Sequence, residues 1–259
     1  MKEAIVKIYV EPKLENPILI EGLPGIGHVG KLAAEHMINE IDAKKFADLF
    51  SPDFPPQILV KEDGTIKLMS NEFYFYKGKG SHPDLIFVVG NTQGLTSQGQ
   101  YDIVSKILDV VEKYNTKQIF TLGGYGTGRI VKKPRVFGAT TDLSLIKEME
   151  KYGIDFETED ERGGIVGTSG LLLGVGELRG MNGVCLMGET SGYLVDAKSA
   201  KAVLEVLTKI LKIEIDLDEL ENRAKEAEKT LPRIYEMQKK ALEAAHKDID
   251  VDEDLRYIG

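Results

Sequence analysis

Gly25-Ile26-Gly27-His28-Val29-Gly30 spells G-x-G-x-x-G, the spacing at which backbone amides opening a helix close on a pyrophosphate. A dinucleotide site then requires a second strand ending in an acidic residue about 20 positions further on, to hold the ribose. The stretch 42–50, Asp42-Ala43-Lys44-Lys45-Phe46-Ala47-Asp48-Leu49-Phe50, offers no clean apolar strand with such an end, because Asp48 lies inside the run. The other use of Gly22, Gly25, Gly27 and Gly30 involves no chemistry: a structural turn that lets a helix pack tightly against the first strands. The incomplete fingerprint favours that use.

Other residues of chemical interest are sparse. Gly123-Gly124-Tyr125-Gly126-Thr127-Gly128-Arg129 follows an apolar run and would bend around an anion with Arg129 supplying charge, yet it lacks the Lys-Ser/Thr ending of a P-loop. Gly188-Glu189-Thr190-Ser191-Gly192 resembles a nucleophile elbow with its serine one position late. His28 beside Thr190 or Ser191 in space would make a base and a nucleophile. Of the four histidines, His28, His36, His82 and His246, none stands at metal-ligand spacing from a neighbour, and His28 and His36 are two helical turns apart. Asp248, Asp250 and Asp252 open like a calcium loop, but Glu253 stands where glycine is needed and Gly259 where a bidentate glutamate is needed. The single cysteine, Cys185, sits in an apolar run and reads as a small buried hydrophobe. No catalytic, cofactor-binding or metal-binding residue is assigned.

The elements that would position these groups alternate. Residues 4–10 read as a half-buried strand and Pro17–Ile20 as a buried one. From His28 onward Val29, Leu32, Ala33, His36, Met37 and Ile41 mark one face of a helix. After the proline loop 51–56, strands are expected at 57–61, 66–70 and 72–77, the first two joined around Asp63-Gly64 as a flap. Strand 85–89, helix 101–114 and strand 118–122 imply a right-handed parallel crossover. Further along come strand 136–140, helix 143–152 capped by Asp142, a polar glycine-rich stretch 154–167, a helix near 169–176, strand 183–187, and helix 197–211 capped by Asp196. The class is α/β, with several loops gathered at the carboxyl edge of one sheet, where ligand crevices usually lie.

The 259 residues, 42% hydrophobic, suffice for one large domain or a domain with an appendage. A net charge of −9 argues against nucleic acid or an anionic membrane as partner. The amino-terminal residues lead into an alternating strand instead of a signal peptide, and no apolar run reaches membrane-spanning length, so a cytoplasmic protein is expected. A Lys- and Glu-rich charged fraction of 29% without tryptophan suits a thermophile.

From Leu217 the pattern changes. Leu217, Leu220, Ala224, Ala227, Leu231, Ile234, Gln238, Ala241 and Ala245 recur at steps of three and four, a heptad-like stripe interrupted at Pro232. Two helices are expected, with Thr230 capping the second; they either fold onto their own domain or form an oligomer arm through Leu217, Leu220, Leu231 and Ile234. The division expected is a core at 1–212, a helical appendage at 213–247 and an acidic tail at 248–259. The tail tip Leu255-Arg256-Tyr257-Ile258-Gly259 suits insertion into a partner's pocket.

Glu21-Gly22-Leu23-Pro24-Gly25-Ile26-Gly27-His28-Val29-Gly30, together with Gly188-Glu189-Thr190-Ser191-Gly192 ahead of Asp196-Ala197-Lys198-Ser199-Ala200, resembles the archaeal proteasome-assembly-chaperone homologues. These are related to the second subunit of the eukaryotic assembly chaperone pair. The resemblance covers about residues 1–212, and the appendage and tail look similar too. It implies a three-layer α/β/α sandwich like that of nucleoside phosphorylases, no catalytic activity, no cofactor, and homo-oligomer formation. The partners it implies are proteasome α subunits or a sister assembly-chaperone homologue, reached through Leu255, Tyr257, Ile258 and Gly259. Tyr257 stands third from the end, where the family's docking tail has its tyrosine second, and Arg256 precedes it. The function expected is that of an assembly chaperone or proteasome-binding adaptor or activator. The alternative is a nucleotide- or nucleoside-binding enzyme using the glycine loops.

Overall fold

The computed structural model describes residues 1–156, 164–227 and 229. In chain order they form β1 (Ile5–Ile8), β2 (Ile18–Gly22), a 3-10 turn (Ile26–His28), α1 (Val29–Glu40), β3 (Lys44–Phe50), β4 (Ile58–Val60), β5 (Ile66–Leu68), β6 (Asn71–Tyr76), β7 (Leu85–Gly90), α2 (Ser97–Glu112), β8 (Gln118–Gly126), β9 (Val136–Thr140), α3 (Leu143–Met149), β10 (Ile154–Asp155), α4 (Thr168–Leu178), β11 (Asn182–Thr190) and α5 (Ala197–Leu211). A nine-stranded sheet runs β1-β3-β6-β7-β2-β8-β11-β9-β10, and β4 and β5 pair separately as a hairpin.

At the centre of the sheet β7, β2, β8 and β11 are parallel. Their cores, such as Leu85-Ile86-Phe87-Val88-Val89, are continuous apolar runs because helices cover both faces. Alternate residues feed two separate cores. Ile20, Phe87 and Phe120 pack with α1 and α5, whereas Leu19, Ile86 and Ile119 pack with α2 and α4. The result is the expected α/β/α sandwich, with antiparallel strands added at both sides.

Several boundaries differ from the sequence reading, each for a tertiary reason. Residues 44–50, expected to form no clean strand, are β3, lying antiparallel between β1 and β6. Phe46, Ala47 and Leu49 are buried, and the buried Asp48 is offset by Lys45 Nζ at 2.7 Å and by the Tyr9 hydroxyl donating at 2.7 Å. Helix α2 opens at Ser97, not 101, because Thr96 Oγ1 accepts from the Gly99 amide at 3.0 Å. Gly123 to Gly126 and Gly188 to Thr190 are not loops but the paired ends of β8 and β11. Helix α3 stops at Met149 and continues as a 3-10 turn to Tyr152. Within the stretch read as polar and glycine-rich, Ile154 and Asp155 add the edge strand β10 alongside β9, and residues 157–163 lie outside the described part.

Beyond α5 the chain folds back on its own domain. Ile213, Leu220 and Ala224 are buried in the α1–α5 core, with Leu217 packed against it. His36 Nε2 donates to the Asp216 carbonyl at 2.6 Å, and Lys201 Nζ meets Glu221 at 3.0 Å. The turn at Pro232, the arm residues Leu231 and Ile234, the acidic run Asp248, Asp250 and Asp252, and the tail residues Leu255, Tyr257, Ile258 and Gly259 lie outside the described residues.

Candidate functional site

Strands β2, β8 and β11 end together at the carboxyl edge of the sheet, and the G-x-G-x-x-G turn lies across them. Gly27 and Gly30 of this turn, and Gly22 just ahead of it, are there for lack of a side chain. A Cβ on Gly30 would stand 1.9 Å from the Leu122 carbonyl oxygen of β8, and one on Gly22 would stand 2.4 Å from the Ala34 Cβ. Helix α1 therefore crosses the sheet at backbone contact distance, which only glycine permits. Gly27 takes φ +62°, with Thr190 Oγ1 and the Leu194 carbonyl oxygen at 3.0 and 3.4 Å from where its Cβ would be. Gly25 is extended and faces open space.

The groups closing over this turn are electron-rich. The Asp196 amide donates to the Gly27 carbonyl at 2.9 Å, and Ile26 O would sit 2.4 Å from a Cβ on Gly124. Asp196 accepts from the Thr190 hydroxyl at 2.7 Å, from the Ser199 amide at 2.9 Å and from the Ser199 hydroxyl at 2.9 Å. A phosphate entering here would meet carbonyl and carboxylate oxygens, which repel it. The Thr190 hydroxyl, read as a nucleophile for His28, donates to Asp196 instead. Asp196 caps α5 as expected and also clamps the 190–196 loop on the glycine turn. Asp196→Ala is expected to cost about 2 kcal/mol by loss of the cap and of two hydroxyl partners; urea denaturation checks this.

Glu21 entered the sequence reading only as the first residue of the family motif, with no role of its own, yet it is fully buried at the end of β2. Its Oε1 accepts from the Leu23 amide at 2.9 Å and its Oε2 from the Ser169 hydroxyl at 2.8 Å. Burial pushes its carboxyl up to about 7, against the lowering effect of those two donors. Gln93 bridges the same region, donating to Pro24 O at 2.7 Å and accepting from the Thr168 amide at the start of α4 at 2.9 Å. Cys185 is buried opposite Thr121, and burial raises its thiol to about 12, the state of an inert side chain. Among the described residues no group of three or more His, Cys, Asp or Glu side chains is placed to hold a metal ion, and no helix is long and apolar enough to cross a membrane.

The rim of the edge is apolar and outward-facing. Ile26, Ile130, Tyr193 and Val195 are all exposed. Gly126 and Gly192 both lie under the Ile26 side chain, and Gly128 under the Tyr193 hydroxyl. A groove beside this rim is lined by the apolar Ile130, Val131, Leu194, Val195, Ala197, Ala224 and Ala227 together with Ser191, Asp196 and Lys198. The glycine clusters supplied no sequence signal for this surface, because its members are dispersed over four segments.

The fold is thus a three-layer α/β/α domain whose glycine turn is filled by its own backbone and whose carboxyl edge presents apolar side chains. The chain is a member of the PAC2 family, which it matches over residues 19–234. It is 48% identical over 250 residues to the uncharacterized protein MJ1210 of Methanocaldococcus jannaschii, covering 96% of this chain and 95% of that one. Among solved structures it is similar to Pyrococcus furiosus PbaB, an archaeal proteasome activator, with TM-score 0.87 and 48% identity over 91% of this chain and 100% of PbaB. P. furiosus PbaA, an archaeal homolog of proteasome-assembly chaperone, superposes with TM-score 0.75 at 28% identity, covering 99% of this chain and 100% of that one.

Proposed function

We propose that this chain is a non-catalytic, homo-oligomeric, cytoplasmic adaptor of the proteasome, of the activator or assembly-chaperone kind, that engages proteasome α subunits or a sister homologue through its C-terminal appendage and tail. The observation that carries the reading is the 48% identity to the proteasome activator PbaB, which extends over 91% of the chain. The site geometry supports it. The motif that would make an enzyme or nucleotide binder is occupied by Leu122, Thr190 and Leu194, and the acidic and hydroxyl groups around it satisfy one another. In this reading Leu255, Tyr257 and Ile258 form the docking tip and Leu231 and Ile234 contribute to the oligomer arm.

Deleting Leu255 to Gly259 is expected to reduce capture of archaeal proteasome α rings at least about tenfold, equivalent to about 1.4 kcal/mol of lost contact, with circular dichroism and mass unchanged. Unchanged capture removes the tail from the mechanism. Failure of the full chain to capture α rings or a sister homologue overturns the adaptor reading itself.

A further inference from the structure

Beside the apolar groove at the carboxyl edge lies a second groove of opposite character. Five lysines line it: Lys132 and Lys133 on the β8–β9 connection, Lys198 and Lys201 on α5, and Lys225 on helix 218–227. Two glutamates stand among them, and both are engaged. Glu205 and Glu221 meet Lys201 at 3.3 and 3.0 Å, and Glu221 also meets Lys225 at 2.7 Å. Lys198 Nζ donates to the Lys132 carbonyl at 3.2 Å, which ties the two walls together. The side chains of Lys132 and Lys133 are exposed, and among the described residues neither has a carboxylate at ion-pair distance. Five lysines less two glutamates leave three positive charges on one groove of a chain whose net charge is −9, a local field that attracts an anionic occupant. The two grooves are continuous, since Lys198 and Ala224 line both.

We propose that the occupant is this chain's own carboxyl-terminal tail, its acidic run on the lysine groove and its tip in the apolar groove beside it. The stretch 248–254 carries Asp248, Asp250, Asp252, Glu253 and Asp254 and no basic residue, the charge complement of the lysine walls. Leu255, Tyr257 and Ile258 follow at once, and their apolar side chains gain by leaving water for the apolar groove. Arg256 falls between them, and Asp196 in the lining of that groove gives it a counter-charge. The order along the tail, acidic and then apolar, is the order of the two grooves. Residues 226–247 tether the tail to helix 218–227 on the groove's own rim, which raises its effective concentration there into the millimolar range. A separate acidic peptide must compete with that tether. Docked in this way the tip is withheld from any other pocket, so the contact is autoinhibitory. The inference rests on the proposed function for that consequence alone, because the docking itself involves no proteasome.

Thiol cross-linking of the full chain tests the docking. Ile130→Cys/Ile258→Cys places one thiol in the apolar groove and one in the tail tip. Under mild oxidation it is expected to close an intramolecular disulfide at least about ten times faster than Leu178→Cys/Ile258→Cys, whose first thiol sits on an 87% exposed side chain at the end of α4, in the other helix layer. Closure is read as the loss of two thiols from the denatured single chain, leaving the native Cys185. Adding Lys132→Glu/Lys133→Glu to the first pair, or working in about 0.5 M salt, where the Debye length is about 4 Å, is expected to slow closure at least about fivefold. Both lysines are exposed, so circular dichroism is expected to stay unchanged. Equal rates for the two cysteine pairs overturn the docking, as does a rate that neither charge reversal nor salt alters. Disulfides formed chiefly between copies also overturn it, because they put the tail on another molecule. Capture of archaeal proteasome α rings by Lys132→Glu/Lys133→Glu with its tail intact is expected to rise at least about threefold over the native chain; equal or lower capture overturns the autoinhibition. Absence of capture by either form overturns the adaptor reading, and the cross-linking rates still decide the docking.

Discussion

Replacing Gly30 by alanine is expected to destabilise the protein by about 3 to 5 kcal/mol and to lower Tm by roughly 10 °C, while Gly25→Ala changes stability by less than about 1 kcal/mol. The difference comes from what each new methyl group meets. At Gly30 it would lie 1.9 Å from Leu122 O and 2.5 Å from the Leu122 carbonyl carbon. Those atoms belong to the middle of β8, held between β2 and β11, so neither partner can retreat without opening the sheet. Alanine is intrinsically better than glycine inside a helix by about 1 kcal/mol, which offsets only a small part of the clash. Gly22→Ala is governed by the same crossing, from the other side, through Ala34 and Gly30 O. At Gly25 the methyl group enters open space from extended backbone. Thermal unfolding of the variants decides the matter: a Gly30→Ala protein melting within two or three degrees of the native one, on the scale of about 1 kcal/mol, would remove the close-packing account of the motif.

This pair of positions shows how far the motif could be read without coordinates. The alternation of apolar runs and amphipathic helices located the parallel centre of the sheet, and the lack of an acidic strand end at Asp48 favoured a packing role for the glycine turn. Which glycine is essential depends on which backbone passes beneath it, and Leu122 is nearly a hundred residues away in sequence. The same limit explains β3. Lys45 and Asp48 look like loop residues until each is seen to be the other's partner, with Tyr9 of the amino-terminal segment adding its hydroxyl to Asp48. Gly123 to Gly126 read as a loop because glycine weakens a strand, yet β11 supplies the pairing partner, and the small residues leave room for Ile26 of the glycine turn. The heptad-like stripe has one period whichever surface receives it. Leu220 and Ala224 turn out to belong to the chain's own α1–α5 core, a choice that periodicity does not encode.

Glu21 yields the second large effect, in the dependence of stability on pH. The carboxyl is taken wholly out of water at the end of β2, and burial raises it to about 7 from an ordinary 4.5, despite the Leu23 amide and Ser169 hydroxyl that favour the charged form. Between those two values the folded state holds a proton that the unfolded state has released. Stability from this group is therefore fully present below pH 4.5, falls as pH rises toward 7, and stays at its lower level above that. A displacement of this size corresponds to about 3 kcal/mol across the window. Glu21→Gln keeps an acceptor for the Leu23 amide and a polar partner for Ser169 but cannot ionise. The variant is expected to lose the decline between pH 4.5 and 7 that this group contributes, and at pH 8 to match or exceed the native protein in stability. Denaturant titrations of both proteins at pH 5 and pH 8 measure the difference directly. If native and variant proteins change by the same amount between those two conditions, the carboxylate is not titrating in the interior, and its hydrogen bonds hold it ionised throughout.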